Sequence, residues 1–202
     1  MAPAKIQQSP LAEPPAKAPA VMGRPRSPET NARMLRATLE VLAERGFSGL
    51  TVNEICTRAG VSRTTFYRRW PDPSDAVAEA ITDAFHDVTV RGADHPADYL
   101  VQYTLAIEEV YADPLIAPSI GFAVGEMRAN PRVADTVQSQ VRVRRAEVRR
   151  YLEAMPPTPG VTFGLGVDIV LEIVSGMVWS AVVSHARLDH KMLRAVIDRL
   201  IA

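Results

Sequence analysis

From residue 35 to the end of the chain, apolar side chains recur every three or four positions, and no stretch alternates with a period of two. That pattern predicts an all-α protein, since a spacing of 3.6 aligns a stripe on one helix face. Leu35, Leu39 and Leu42 form the first stripe. Ser27-Pro28-Glu29 marks its start: a cap, a proline suited to the first helical position and an acid that complements the helix dipole. Gly46 ends it, and Phe47 and Leu50 are expected to plug a small core. Thr51 followed by Glu54 is a capping-box pattern opening a short second helix, with Ile55 and Ala59 on one face. Gly60 supplies a tight turn and Val61 fills the angle. Ser62 caps a third helix, expected over residues 62–70, whose Phe66 points back to the core.

Beyond residue 74 the periodicity predicts six helices, over 75–89, 97–111, 115–129, 132–155, 163–187 and 189–201. The fifth of these helices is apolar on nearly every face over 167–183, with Gly176, Ser180 and Ser184 at four-residue spacing. A helix apolar all round must be covered on all sides. Leu100, Thr104, Ile107 and Tyr111 share a stripe, as do Val133, Val137, Val141 and Val148, and Leu193, Val196, Ile197 and Leu200. Pro156-Pro157-Thr158-Pro159-Gly160 is a firm break.

Formal charge over all 202 residues is zero, but it is unevenly placed. Residues 23–70 hold nine Arg and four Glu, a net of +5, whereas residues 71–202 hold twelve Lys and Arg against eighteen Asp and Glu, a net of −6. A basic head on an acidic body fits a double-stranded DNA reader. Arg63, Thr64, Tyr67 and Arg68 form a band of donors opposite Phe66, suited to base edges and phosphates. Residues 1–27, rich in Pro and Ala, are expected to be a disordered tail. Its basic run, Arg24-Pro25-Arg26, suits a minor groove, with a solvated linker as the alternative.

Thr51, Ile55, Ala59-Gly60-Val61-Ser62, Thr65-Phe66-Tyr67 and Trp70, preceded by Arg45-Gly46-Phe47, resemble the helix-turn-helix of the tetracycline-repressor (TetR) family over residues 28–87. The resemblance implies an all-helical dimer: a DNA-binding domain at 28–88, then a ligand-binding and dimerisation domain at 89–202. It implies that Thr51 and Tyr67 contact phosphate, that Asn53 touches bases or backbone, and that Ser62, Arg63, Thr64 and Thr65 open the reading helix in the major groove, with Arg68 and Arg69 flanking. One departure stands out. Pro73 lies where the family usually has a phosphate-holding lysine, and Arg24 and Arg26 are expected to compensate.

The resemblance further implies a repressor that binds an inverted-repeat operator as a homodimer through its last two helices and is released by a small apolar ligand. The alternative is a DNA-binding regulator without a small-molecule ligand. Aromatic and sulfur side chains offer Phe85, Tyr103, Phe122, Met127, Phe163, Met177 and Trp179 as candidate ligand contacts.

Other chemistries find little support. His86, His95, His185 and His190 lack metal-ligand spacing, and Cys56 has no adjacent base and excludes an intrachain disulfide. Gly164-Leu165-Gly166 follows no strand, so it is not a dinucleotide motif. The Arg142, Arg144, Arg145, Arg149 and Arg150 run reads as a solvated face. Asp168 and Glu172 interrupt the one stretch apolar enough to suggest a membrane span. No enzyme, cofactor or metal is expected, and the location expected is cytoplasmic.

Overall fold

The computed structural model describes residues 28–90 and 92–202. Nine α-helices and no strand are present among them. Three lie in the head: α1 (Pro28–Arg45), α2 (Val52–Ala59) and α3 (Arg63–Tyr67), with a 3-10 turn at Phe47–Gly49. A connecting helix, α4 (Pro73–Ala84), leads to α5 (Pro96–Tyr111), α6 (Ile116–Glu126), α7 (Pro131–Glu153), α8 (Val167–Val183) and α9 (His190–Leu200). The all-α expectation holds.

Local chemistry sets many of the starts. Thr51 and Ser62 accept hydrogen bonds from the backbones of Glu54 and Thr65, each at 3.2 Å. Gly60 stands in the left-handed region at φ 64°, closing α2. Only half of the expected Thr51 box forms, because the Glu54 carboxylate turns to Arg58 at 3.1 Å and Arg45 at 3.5 Å. A complete box forms instead at α4, between Asp72 and Asp75 with Pro73 at the first position. Asn130, which the sequence placed at the end of a helix, accepts from Val133 N–H and caps the next one.

The ends are shorter than the periodicity suggests. α3 stops at Tyr67, because the chain then turns to bury Trp70 beside Phe66, ring centroids 5.1 Å apart. α4 stops at Ala84, five residues early, where Arg144 takes the Phe85 and Val88 carbonyls. α8 starts only at Val167, after Gly166 at φ 80°. Val141, expected inside, is 46% exposed.

Two apolar cores result. The first packs Leu35, Leu39 and Leu42 of α1 against Ile55, Phe66, Trp70, Val77 and Ile81, and is closed by Ile116 and Ala123 of α6 and Val133 of α7. This core therefore crosses residue 88. The Ser119 hydroxyl donates to the Leu39 carbonyl at 3.3 Å, and Arg36 pairs with Asp113 at 2.9 Å, pinning α6 to α1. The second core gathers Leu100, Val148, Leu152, Val170, Leu171, Val174, Leu193 and Ile197. At its rim Glu108 of α5 is buried, and its carboxylate accepts the Leu188 N–H at 2.7 Å. No described helix is long and apolar enough to cross a membrane.

Phe66 is fully buried at the centre of the first core. Phe66→Ala should cost about 3–5 kcal/mol, the range for deleting a core aromatic. A midpoint shift in chemical denaturation worth less than about 1 kcal/mol would show that α3 is held some other way.

Candidate nucleic-acid interface and body cavity

α2 and α3 are set at an angle by Gly60 and Val61, with Ile55, Cys56, Ala59 and Phe66 facing inward. Everything left outward on α3 is polar or aromatic. Arg63, Thr64, Tyr67 and Arg68 are exposed, Tyr67 at 48%. The Arg63 guanidinium sits 5.9 Å from the centre of the Tyr67 ring, so cation and phenol form one contact surface. Thr51 and Asn53 are exposed on the neighbouring start of α2. Thr51, Asn53, Ser62, Arg63, Thr64, Tyr67 and Arg68 thus lie on the outer side of one two-helix unit. Ser62 and Thr65 serve locally, their hydroxyls 3.0 Å apart while Ser62 caps α3. Burial raises the Cys56 thiol pKa and Arg63 pulls the other way, so a reactive thiolate is disfavoured there.

Arg69, expected to flank the contacting residues, has partners within the fold. It pairs with Glu79 of α4, where Trp70 Nε1 also donates at 2.8 Å and Asn31 of α1 at 3.4 Å. Its guanidinium lies over the Trp70 ring, 5.3 Å from its centroid. Arg69 is thus a strut between α3 and α4. The α4 start offers little to an anion: Asp72 accepts the Ser74 N–H at 2.8 Å, and the Asp75 carboxylate accepts the Asp72 N–H. Arg24, Arg26 and the Ser27 cap lie outside the described residues.

The body holds a cavity of about 260 Å³ between α4, α5, α6, α7 and α8. Phe85 and Tyr103 of the expected contacts line it, together with Ile107, Tyr111, Gln140, Arg144 and Ser175. The other five lie elsewhere. Phe122 is 44% exposed and its ring sits over Gly46 in the head. Met127 packs on the first core, and Phe163 and Met177 pack on the second. Trp179 is half-exposed, with its ring edge on Tyr111 at 6.0 Å. Tyr111, Gln140 and Arg144 carried no local signal, because their convergence depends on how five helices meet. Among the described residues no three His, Cys, Asp or Glu converge as a metal site.

Residues 34–80 match the family model described as "Bacterial regulatory proteins, tetR family". An uncharacterized HTH-type transcriptional regulator of Mycobacterium tuberculosis, Rv2250c, is 38% identical over 93 residues, 44% of this chain and 48% of that protein. The family match lies in the head, from α1 into α4. The aligned part spans about half the length of that relative. A second M. tuberculosis protein named in the same way, Rv1556, is 25% identical over 83% of this chain and 84% of its own. Among solved structures, a putative TetR-family transcriptional regulator from Rhodococcus sp. superposes with a TM-score of 0.65 at 18% identity, covering 85% of this chain and 95% of that one. The multidrug binding protein EbrR complexed with ethidium gives 0.61 at 17% identity, covering 87% and 99%. At such identities the likeness is one of fold, and it covers head and body alike.

Glu79 is the node that holds the head to α4. Burial pushes its pKa up, but the N–H donors of Arg69, Trp70 and Asn31 outweigh that and hold it below the usual value of 4.5. A carboxylate with a depressed folded pKa adds stability that is complete above its unfolded pKa and lost as pH falls through the folded one. Glu79→Gln should therefore lower the denaturation midpoint at neutral pH, with the gap to the parent closing below about pH 4.5. A gap that persists unchanged into acid would mean that shape, not charge, holds the node.

Proposed function

We propose that this chain is a DNA-binding transcriptional regulator that represses by occupying an inverted-repeat operator as a homodimer and leaves it when a small, largely apolar ligand binds. The observation that carries the reading is the outer side of α2 and α3. Arg63, Thr64, Tyr67 and Arg68 stand free of the core that Phe66 and Trp70 anchor, beside Thr51 and Asn53. In this reading α3 enters the major groove, Arg63 and Thr64 reach base edges, and Thr51 and Tyr67 hold phosphates.

Pairing of two chains is supported by the outer side of α8 and α9. Val183 is 64% exposed, with Ile169 and Met192 also exposed, and the space in front of Gly176 is open. Apolar residues in that number call for cover, and a twofold partner supplies it with its own copy. A mostly apolar cavity in the body supports the ligand, as does the complex of the similarly folded EbrR with ethidium.

Selection of bound sequences from a random duplex pool tests the whole reading. The expected outcome is an inverted repeat, and recovery of single, unpaired half-sites would remove the dimer. Arg63→Ala should cost about 1–3 kcal/mol on the selected site and relax one base position, whereas Tyr67→Phe should weaken all duplexes alike. Equal losses on every sequence for Arg63→Ala would reduce Arg63 to a phosphate contact. Val183→Glu should yield monomers in sedimentation equilibrium, and an unchanged mass would place the pairing surface elsewhere.

A further inference from the structure

We infer that the body cavity takes an organic anion, a small carboxylic acid with an apolar ring or short chain, whose carboxylate is held by Arg144. The inference rests on the ligand-responsive reading of that cavity.

The charges facing the space decide the class. Arg144 and Arg145 line it, and no Asp or Glu does. Arg145 is matched, with Glu172 at 3.0 Å. Arg144 is not matched in the same way. Its close partners are the neutral carbonyls of Phe85 and Val88, and its nearest carboxylate, on the exposed Glu147, is 3.9 Å away. Carbonyl oxygens orient a guanidinium without cancelling its charge, and a partly buried charge whose only carboxylate partner is distant and exposed gains from a closer one. A bound carboxylate would match it through the forked geometry that arginine offers.

The surroundings agree. A more open cleft adjoins the cavity, sharing Thr82, Tyr103, Gln140 and Arg144 and adding His86, Glu147 and Arg150. Glu147 there offsets only one of the two arginines, Arg144 and Arg150, so the junction keeps a net positive charge. Burial pushes the Tyr103 phenol up to about 12, which keeps it a neutral donor at physiological pH. Ile81, Phe85, Ile107, Val137 and Val178 supply apolar wall, with Tyr111 and Ser175 between them. A volume of 260 Å³ equals that of about nine water molecules at roughly 30 Å³ each, room for one ring with a small substituent. The same guanidinium holds the end of α4, so an anion that draws it away from the Phe85 and Val88 carbonyls acts on the helix that carries the head.

Calorimetric titration of the full chain with three probes of one shape tests this: para-isopropylbenzoate, its neutral amide and the corresponding benzylammonium. The acid should bind about tenfold or more tighter than the amide, the increment of one charge-assisted contact, with the ammonium weakest. Arg144→Gln should erase the preference for the acid and Arg144→Lys should keep part of it. The wild-type series alone decides the sign should either variant fail to fold. An amide or ammonium that binds as tightly as the acid overturns the anion while leaving a ligand-responsive protein in place. A preference retained in Arg144→Gln overturns the role of Arg144. Failure of all three probes at millimolar concentration overturns both readings.

Discussion

A helix of five residues has no stability of its own in water, because nucleation consumes the bonds that one turn supplies. α3 therefore exists only because it is gripped from behind. Phe66 enters the core between α1 and α2, Trp70 folds under it, and Ser62 fixes the first turn. The exposed side of α3 is then free to be wholly polar, since none of its outward residues is needed to hold the helix in place. The arrangement of Arg63, Thr64, Tyr67 and Arg68 is thus inherited from the packing of residues that never meet a partner.

α4 extends that dependence into the body. Near its start, Glu79 collects Arg69, Trp70 and Asn31, so the orientation of α3 is referred to α4 and α1 together. At its far end the carbonyls of Phe85 and Val88 are held by Arg144 of α7. Ala80 and Ile81, between these two polar attachments, and Val77 just before Glu79 lie in the first core. α6 provides a second connection, with Ser119 on the backbone of α1 and Ile120 facing the cavity. The cavity wall and the head are thus joined by two helices rather than by a linker.

Much of the architecture was legible because local chemistry decides it. Gly60, Thr51, Ser62 and the Asp72-Pro73 start carry caps and turns within three residues of themselves, and Phe66 follows from helical spacing alone. Helix ends were less legible, because distant partners set them: Arg144 stops α4, and the burial of Trp70 stops α3. Arg69 looked like one more basic residue of the reading segment, and nothing within its own helix announces the carboxylate ten residues away. Val141 fits a stripe by spacing, yet the stripe on α7 drifts around a 23-residue helix and leaves that position at the cavity edge. Aromatic type alone was a poor guide to the cavity, since Phe122 and Trp179 serve packing against Gly46 and Tyr111.

The chain has only two tryptophans, and the fold places one in each half. Trp70 is buried in the head with its indole N–H on Glu79, while Trp179 is half-exposed on α8 against Tyr111, a wall of the cavity. A shielded indole emits at shorter wavelength than a hydrated one, so the two differ in colour as well as in place. The protein thus carries one intrinsic optical label beside the cavity and another beside α3. Head and body can be watched separately in the unmodified chain.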